Sequence, residues 1–219
     1  MRIEVEHHDN FPNQNGFKSF LKYFPTRFSV DQEYKENRRI IYAFKDGDEI
    51  EEVDNLFINA IINLKGRIGN PELWICPIPA SKIERNRRRY FQFCQRISTS
   101  SNTRNGFNLI SPIEDRGEIH VGASRNYDTV LSSLRFDVGV SNKKIILIDD
   151  VITTGRSFRI ISRQLQRLGA SAVYGIMLAK THWLSQDLNL LEEGTVPNEE
   201  PPDVPLDLEY REDIDNFFS

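Results

Sequence analysis

Asp149 and Asp150 stand side by side at the end of an unbroken apolar run, Ile145 to Ile148, and a small, hydroxyl-rich stretch follows: Thr153, Thr154, Gly155, Arg156 and Ser157. Ionised carboxylates only accept hydrogen bonds. Two of them together suit hydroxyl groups or a divalent cation and would repel a bare anion. The stretch after them has the opposite chemistry. Thr153, Thr154 and Ser157 bring hydroxyl donors, Arg156 brings a positive charge, and Gly155 lets the backbone approach closely. A helix opening there adds unpaired N–H groups at the positive end of its dipole, which suits a phosphate. A sugar phosphate meets both demands, with its phosphate in the loop and its vicinal hydroxyls on the acids. An isolated acid pair can do no more than cap a turn, but the whole thirteen-residue string, running from strand into helix, argues for a ligand. It contains neither a GxxxxGK[ST] loop nor a GxGxxG fingerprint.

The segments around this string supply its scaffold. Lys143–Asp149 reads as a central parallel strand, because its continuous apolar run needs cover on both faces. Phe158, Ile161, Leu165 and Leu168 follow at helical spacing and Gly169 stops them; Ser171–Lys180 is a second buried strand, which completes a right-handed βαβ unit. Upstream, Arg38–Lys45 reads as a short strand or apolar lead-in. Ile50, Val53, Phe57, Ala60, Ile61 and Leu64 mark a helix, and Glu72–Pro79 a compact strand. Ser81–Glu84 has the form of a capping box before a helix with Tyr90, Phe91, Phe93, Cys94 and Ile97 on a wide apolar face. A strand is expected in Gly106–Pro112, a loop over Ile113–Arg125 and a short helix over Asn126–Leu134. Alternation of this kind argues an α/β fold with a central, mostly parallel sheet flanked by helices. Residues 1–37 read as an N-terminal extension, 38–184 as the domain, and 185–219 as an acidic, Pro-rich tail expected to be disordered.

Charge is divided unevenly along the chain. Residues 185–219 hold 11 acids and one Arg, a net of −10, which leaves +6 for the rest of a chain whose total is −4. A mildly basic body favours anionic ligands. The run Arg85–Arg89 admits three readings: a solvated helix face, an extension of the field around an anion site, or a nucleic-acid contact. The tail ends in Phe217 and Phe218 among acids, a composition that suits a docking peptide for a protein partner or a segment that folds back on Arg85–Arg89. Cys76 and Cys94 match no CxxC spacing and no zinc pattern, and on compartment grounds free thiols in a reducing cytoplasm are expected. The polar N-terminus lacks a signal-peptide core and no apolar run reaches membrane-spanning length, so no membrane partner is expected.

The string Ile145–Ser157 resembles the phosphoribosyl-pyrophosphate (PRPP) signature of type I phosphoribosyltransferases. The resemblance implies that Asp149 and Asp150 meet the ribose 2′- and 3′-hydroxyls, and that Thr153, Thr154, Gly155, Arg156 and Ser157 wrap the 5′-phosphate. Over Arg38–Lys180 the chain looks like the ComF-type branch, relatives of the amidophosphoribosyltransferase catalytic domain. By that likeness the loop at Pro79, Ala80, Ser81 and Lys82 receives pyrophosphate, and Ile113–Asn126 forms a mobile hood whose later part includes Ser124, Arg125 and Asn126. The chain departs from the branch in two places. Arg89–Tyr90–Phe91–Gln92 stands where a basic–Gly–Phe–Asn–Gln run is usual, and the N-terminal zinc-finger cysteines of many relatives are missing. With Arg at position 2 in place of a cysteine nucleophile, no built-in glutaminase is expected.

The activity so implied is Mg²⁺-dependent transfer of a phosphoribosyl group from PRPP to an unidentified acceptor, an amine or nucleobase, with release of pyrophosphate. Mg²⁺ would be held by PRPP itself, with contact to Asp149 and Asp150 through water at most. No general acid or base stands out; His120 lies in the hood, where a lone loop histidine is usually just solvated. The alternative is a non-catalytic PRPP-fold protein with a regulatory or ComF-like role in DNA uptake or processing. Oligomeric state, a homodimer included, stays open.

Overall fold

A computed structural model describes residues 16–113 and 127–182, with the backbone alone for 127–129. Most of the hood and all of the tail, His120 and Ser124–Asn126 among them, lie outside the described residues. The chain runs β1 (Phe17–Tyr23), α1 (Gln32–Asp46), α2 (Glu51–Arg67), β2 (Leu73–Pro77), α3 (Ile83–Ser100), β3 (Arg104–Asn105), β4 (Ile110–Pro112), α4 (Tyr127–Ser132), β5 (Leu134–Phe136), β6 (Lys144–Ile152), α5 (Arg156–Arg167) and β7 (Ala172–Thr181). Five strands form one parallel sheet in the order β1-β7-β6-β2-β3, and β4 and β5 pair as a separate antiparallel ribbon. The expected α/β class with a parallel sheet flanked by helices is borne out.

Strand alternation divides the core. Ile146 and Ile148 face one layer with Ile40, Ile41 and Phe44 of α1, Phe57 and Ile61 of α2, and Tyr90 and Phe93 of α3. Ile145 and Leu147 face the other, with Phe158, Ile161 and Leu165 of α5 and with Leu109 and Ile110 before and in β4. Every strand residue from Ile145 to Ile148 is buried, as a strand covered on both faces requires.

Four expectations change. Arg38–Lys45 is helical, because Ile40, Ile41 and Phe44 recur at helix spacing on a buried face and Gly47, at φ 88°, closes the helix in a left-handed conformation. Ser81 does not cap α3; the cap position falls on Lys82 without a side-chain bond, and Asn86 Oδ1 instead reaches back to accept the Ala80 N–H at 3.0 Å. Phe91 and Leu168, counted on apolar faces, are exposed. The Gly106–Pro112 strand shrinks to β4, whose partner β5 carries too few residues to show a period. The sheet also takes in part of residues 1–37: β1 pairs in register with β7, and Arg38 secures the turn after it by bonding the carbonyls of Phe24, Pro25 and Phe28.

Sheet order sets where a ligand belongs. From β2 the chain crosses through α3 to β3 on one side, while from β6 it crosses through α5 to β7 on the other. The carboxyl ends of β2 and β6 therefore flank the point where the topology reverses, the place where open parallel sheets bind ligands.

Candidate functional site

Both aspartates sit within β6, which runs on to Ile152 rather than ending at Asp149. Alternation slips by one across them: beyond the acids Val151 packs with the α1–α3 layer and Ile152 with the α5 layer, the reverse of what the spacing from Ile145 would give. The carboxylates occupy the irregularity. Asp149 Oδ1 accepts the N–H of Asp150 at 2.8 Å and Asp150 Oδ1 accepts the N–H of Val151 at 2.6 Å, which gives two backbone donors an acceptor where the alternation breaks, while the register with β7 holds from Lys144↔Ala172 to Ile152↔Lys180.

Helix α3 then holds both acids. Arg89 Nη1 donates to Asp150 Oδ2, and the Tyr90 hydroxyl donates to Asp149 Oδ1 at 2.8 Å. Arg89 is itself fixed by a bond from Nε to the Lys45 carbonyl at the end of α1. Burial, and next the neighbouring charge of Asp150, push the Asp149 carboxyl up to about 7, against the opposing pull of the Tyr90 hydroxyl, the Asp150 N–H and Arg89. Burial likewise drives the Tyr90 phenol well above its ordinary value, so Tyr90 is a hydrogen-bond donor throughout the physiological range.

The turn after β6 closes on a recess of about 110 Å³ lined by Asp149, Thr153, Thr154, Gly155, Arg156 and Ser157, with Ile78 and Met177 at its apolar side. A water takes about 30 Å³, so the recess has room for a small polyatomic group. Gly155 caps α5 at φ 71°, where a side chain would be strained. Thr153 Oγ1 meets Thr181 Oγ1 at 2.9 Å, and Arg159 Nη2 donates to the Thr154 carbonyl at 2.7 Å, so the turn is tied to β7 and to its own helix. Arg156, Ser157 and Phe158, the opening residues of α5, also line this recess.

Of the residues singled out from sequence, the structure gathers Asp149 and Thr153–Ser157 around one recess. Asp150 points instead to Arg89. Ala80, Ser81 and Lys82 follow β2, the strand beside β6, but do not line the recess, and the Ala80 N–H is taken by Asn86. The sequence assigns no site role to Asn86 or Tyr90, and Arg89 enters it only within the basic run Arg85–Arg89 and, with Tyr90, as a departure from the ComF-type pattern; the structure makes Arg89 and Tyr90 the partners of the acids. Arg85, Arg87 and Arg88 of the same run are exposed, with Arg88 near Asp46 at 3.5 Å.

No group of three or more His, Cys, Asp or Glu side chains able to hold a metal exists among the described residues. Mg²⁺ retains waters and binds chiefly through substrate phosphates, so this donor set fits a cation that arrives with a diphosphate and meets Asp149 through water, not one caged by protein. Cys76 and Cys94 are free and buried, and burial raises both thiols far from reactivity. No described helix is long and apolar enough to cross a membrane.

No family model and no curated protein matches the chain. Solved structures to which it is similar include a hypoxanthine-guanine phosphoribosyltransferase from Bacillus anthracis, at 13% identity and a TM-score of 0.42 over 59% of this chain and 69% of that one. A hypoxanthine phosphoribosyltransferase from Staphylococcus aureus follows at 12% identity and 0.40, over 61% and 68% of the two chains. That of Trypanosoma cruzi follows at 12% and 0.39, over 66% of each.

Proposed function

We propose that this chain binds PRPP with Mg²⁺ and transfers its phosphoribosyl group to an amine or nucleobase, releasing pyrophosphate. The observation that carries the reading is the juxtaposition, at the switch point of a parallel sheet, of a partly buried carboxylate with a hydroxyl-rich helix start around one small recess. The 5′-phosphate would take the N–H and hydroxyl donors of Thr153–Ser157. A ribose hydroxyl would donate to Asp149. Ser81 and Lys82, on the adjacent loop after β2, would receive the pyrophosphate, and Mg²⁺ would neutralise part of its charge. Substitution at C1 builds positive charge on the sugar and negative charge on the leaving group, so the protein's work is to orient the ribose and stabilise separated charge; no covalent nucleophile is required.

Titration calorimetry with PRPP, with and without Mg²⁺, tests the binding step. Mg²⁺-dependent heat that Asp149→Asn abolishes supports it, and its absence from folded wild type rejects it. An acceptor screen from ammonia to free nucleobases, read as pyrophosphate release, tests the transfer.

One observation favours a second reading, a PRPP-fold protein of the ComF-like kind that binds or senses without turnover. Arg89 and Tyr90 already engage both acids. Tight PRPP binding with no pyrophosphate released on any acceptor would select it.

A further inference from the structure

The two adjacent acids differ in how their oxygens are occupied. Both oxygens of Asp150 are engaged, Oδ1 by the Val151 N–H and Oδ2 by Arg89, and Asp150 does not line the recess. Asp149 does line it. Its Oδ1 takes the Asp150 N–H and the Tyr90 hydroxyl, while Oδ2 accepts no hydrogen bond from the described residues. We infer that the two aspartates do different jobs: Asp149 alone meets the sugar hydroxyls, and Asp150 is a positioning residue that acts through Arg89. This assignment rests on the PRPP reading above.

The same face of α3 extends the arrangement. Asn86, Arg89 and Tyr90 stand at positions i, i+3 and i+4, one stripe of the helix. Asn86 holds the loop after β2 through Ala80, Arg89 holds Asp150, and Tyr90 holds Asp149. One rigid element thus sets the spacing between the loop assigned to pyrophosphate and the acid assigned to ribose. A ribose hydroxyl at Asp150 would have to share an oxygen that already accepts the Val151 N–H or a guanidinium whose side chain is only 12% exposed, on an acid that does not line the recess. Binding at Asp149 Oδ2 displaces no hydrogen bond made by the described residues.

The test is calorimetric titration of Mg²⁺–PRPP into the full chain, for wild type, Asp149→Asn, Asp150→Asn, Arg89→Met, Arg89→Lys and the double variant Asp150→Asn, Arg89→Met. The expected result is a loss of at least about tenfold in affinity for Asp149→Asn, the scale of one hydrogen bond to a charged group. Asp150→Asn and Arg89→Met should each lose less, the double variant should bind no more weakly than the worse single one, and Arg89→Lys should restore most of what Arg89→Met loses. Losses for Asp150→Asn that equal those of Asp149→Asn and multiply with those of Arg89→Met would overturn the assignment, because Asp150 would then touch the ligand independently of Arg89. Should Arg89→Met not fold, Asp150→Asn with Arg89→Lys completes the same cycle. Binding by the wild type with multiplying losses removes this assignment alone; no binding by the folded wild type removes the PRPP reading and the assignment with it.

Discussion

Arg89 Nη1 lies 2.5 Å from Asp150 Oδ2, and the two side chains are only 12% and 10% exposed. Removing one partner of such a pair leaves the other charge uncompensated, which costs far more than the pair contributes when intact. Arg89→Met is expected to lower stability by about 3–5 kcal/mol. Adding Asp150→Asn should recover part of that loss, because the orphaned charge is gone. Urea denaturation at pH 7 of the two single variants and the double measures both effects.

Asp149 predicts a pH dependence. Its folded-state pKa, raised to about 7, exceeds the ordinary carboxylate value, so the folded state holds the proton more tightly than the unfolded chain does. Its contribution to stability is fully present below the unfolded pKa of about 4 and is lost as pH rises through about 7. Asp149→Asn keeps an oxygen acceptor for Tyr90 and removes the charge. The variant should match wild type near pH 4 and melt higher by at least about 2–4 °C at pH 8, the equivalent of roughly 1 kcal/mol in a chain of this size. Melting curves at the two pH values check it; a lower melting temperature at pH 8 contradicts it.

Gly155 has φ 71°, and a Cβ there would sit 3.2 Å from Arg159 Nη1. Gly155→Ala would carry a left-handed conformation at a cost of about 1–2 kcal/mol or turn the first N–H groups of α5 away from the recess. The second response should weaken binding of inorganic phosphate; the first should cost stability alone. Titration with phosphate, beside a thermal melt, distinguishes strain from reorientation: strain lowers the melting temperature, and reorientation lowers affinity with little change in melting.

Gly175 marks where β7 is crowded from both sides. A Cβ would fall 2.6 Å from Phe17 Cβ and 2.8 Å from Phe158 Cε2. Gly175→Ala must push β1 or α5 outward, at about 1–3 kcal/mol for overpacking. Hydrogen exchange should then show lost protection in Phe17–Tyr23 or in α5. Unchanged stability would mean that β1 does not lie in register against β7.

The parallel βαβ unit was legible in the sequence because its two strands are long apolar runs and its helix repeats Phe158, Ile161 and Leu165 at helical spacing. The segments from Phe17 to Asp46 were not. β1 has a weak pattern and becomes a strand through its pairing with β7, and α1 takes only short buried stretches that strand and helix share equally well. The capping box at Ser81 failed for a related reason: a four-residue motif cannot register that Asn86 will fold back to take the N–H of Ala80.

By itself the sequence determined the chemistry of residues that are neighbours along the chain. An apolar strand, two acids and a hydroxyl-rich glycine turn place an acceptor beside a set of donors wherever the rest of the molecule lies, because the backbone links them directly. Only the tertiary structure decided which acid is open to the recess. Arg89 and Asp150 are 61 positions apart and Tyr90 and Asp149 are 59 apart. Their meeting depends on α3 packing against β2 and on β2 lying beside β6, relations set by burial of the shared core and carried by no local pattern.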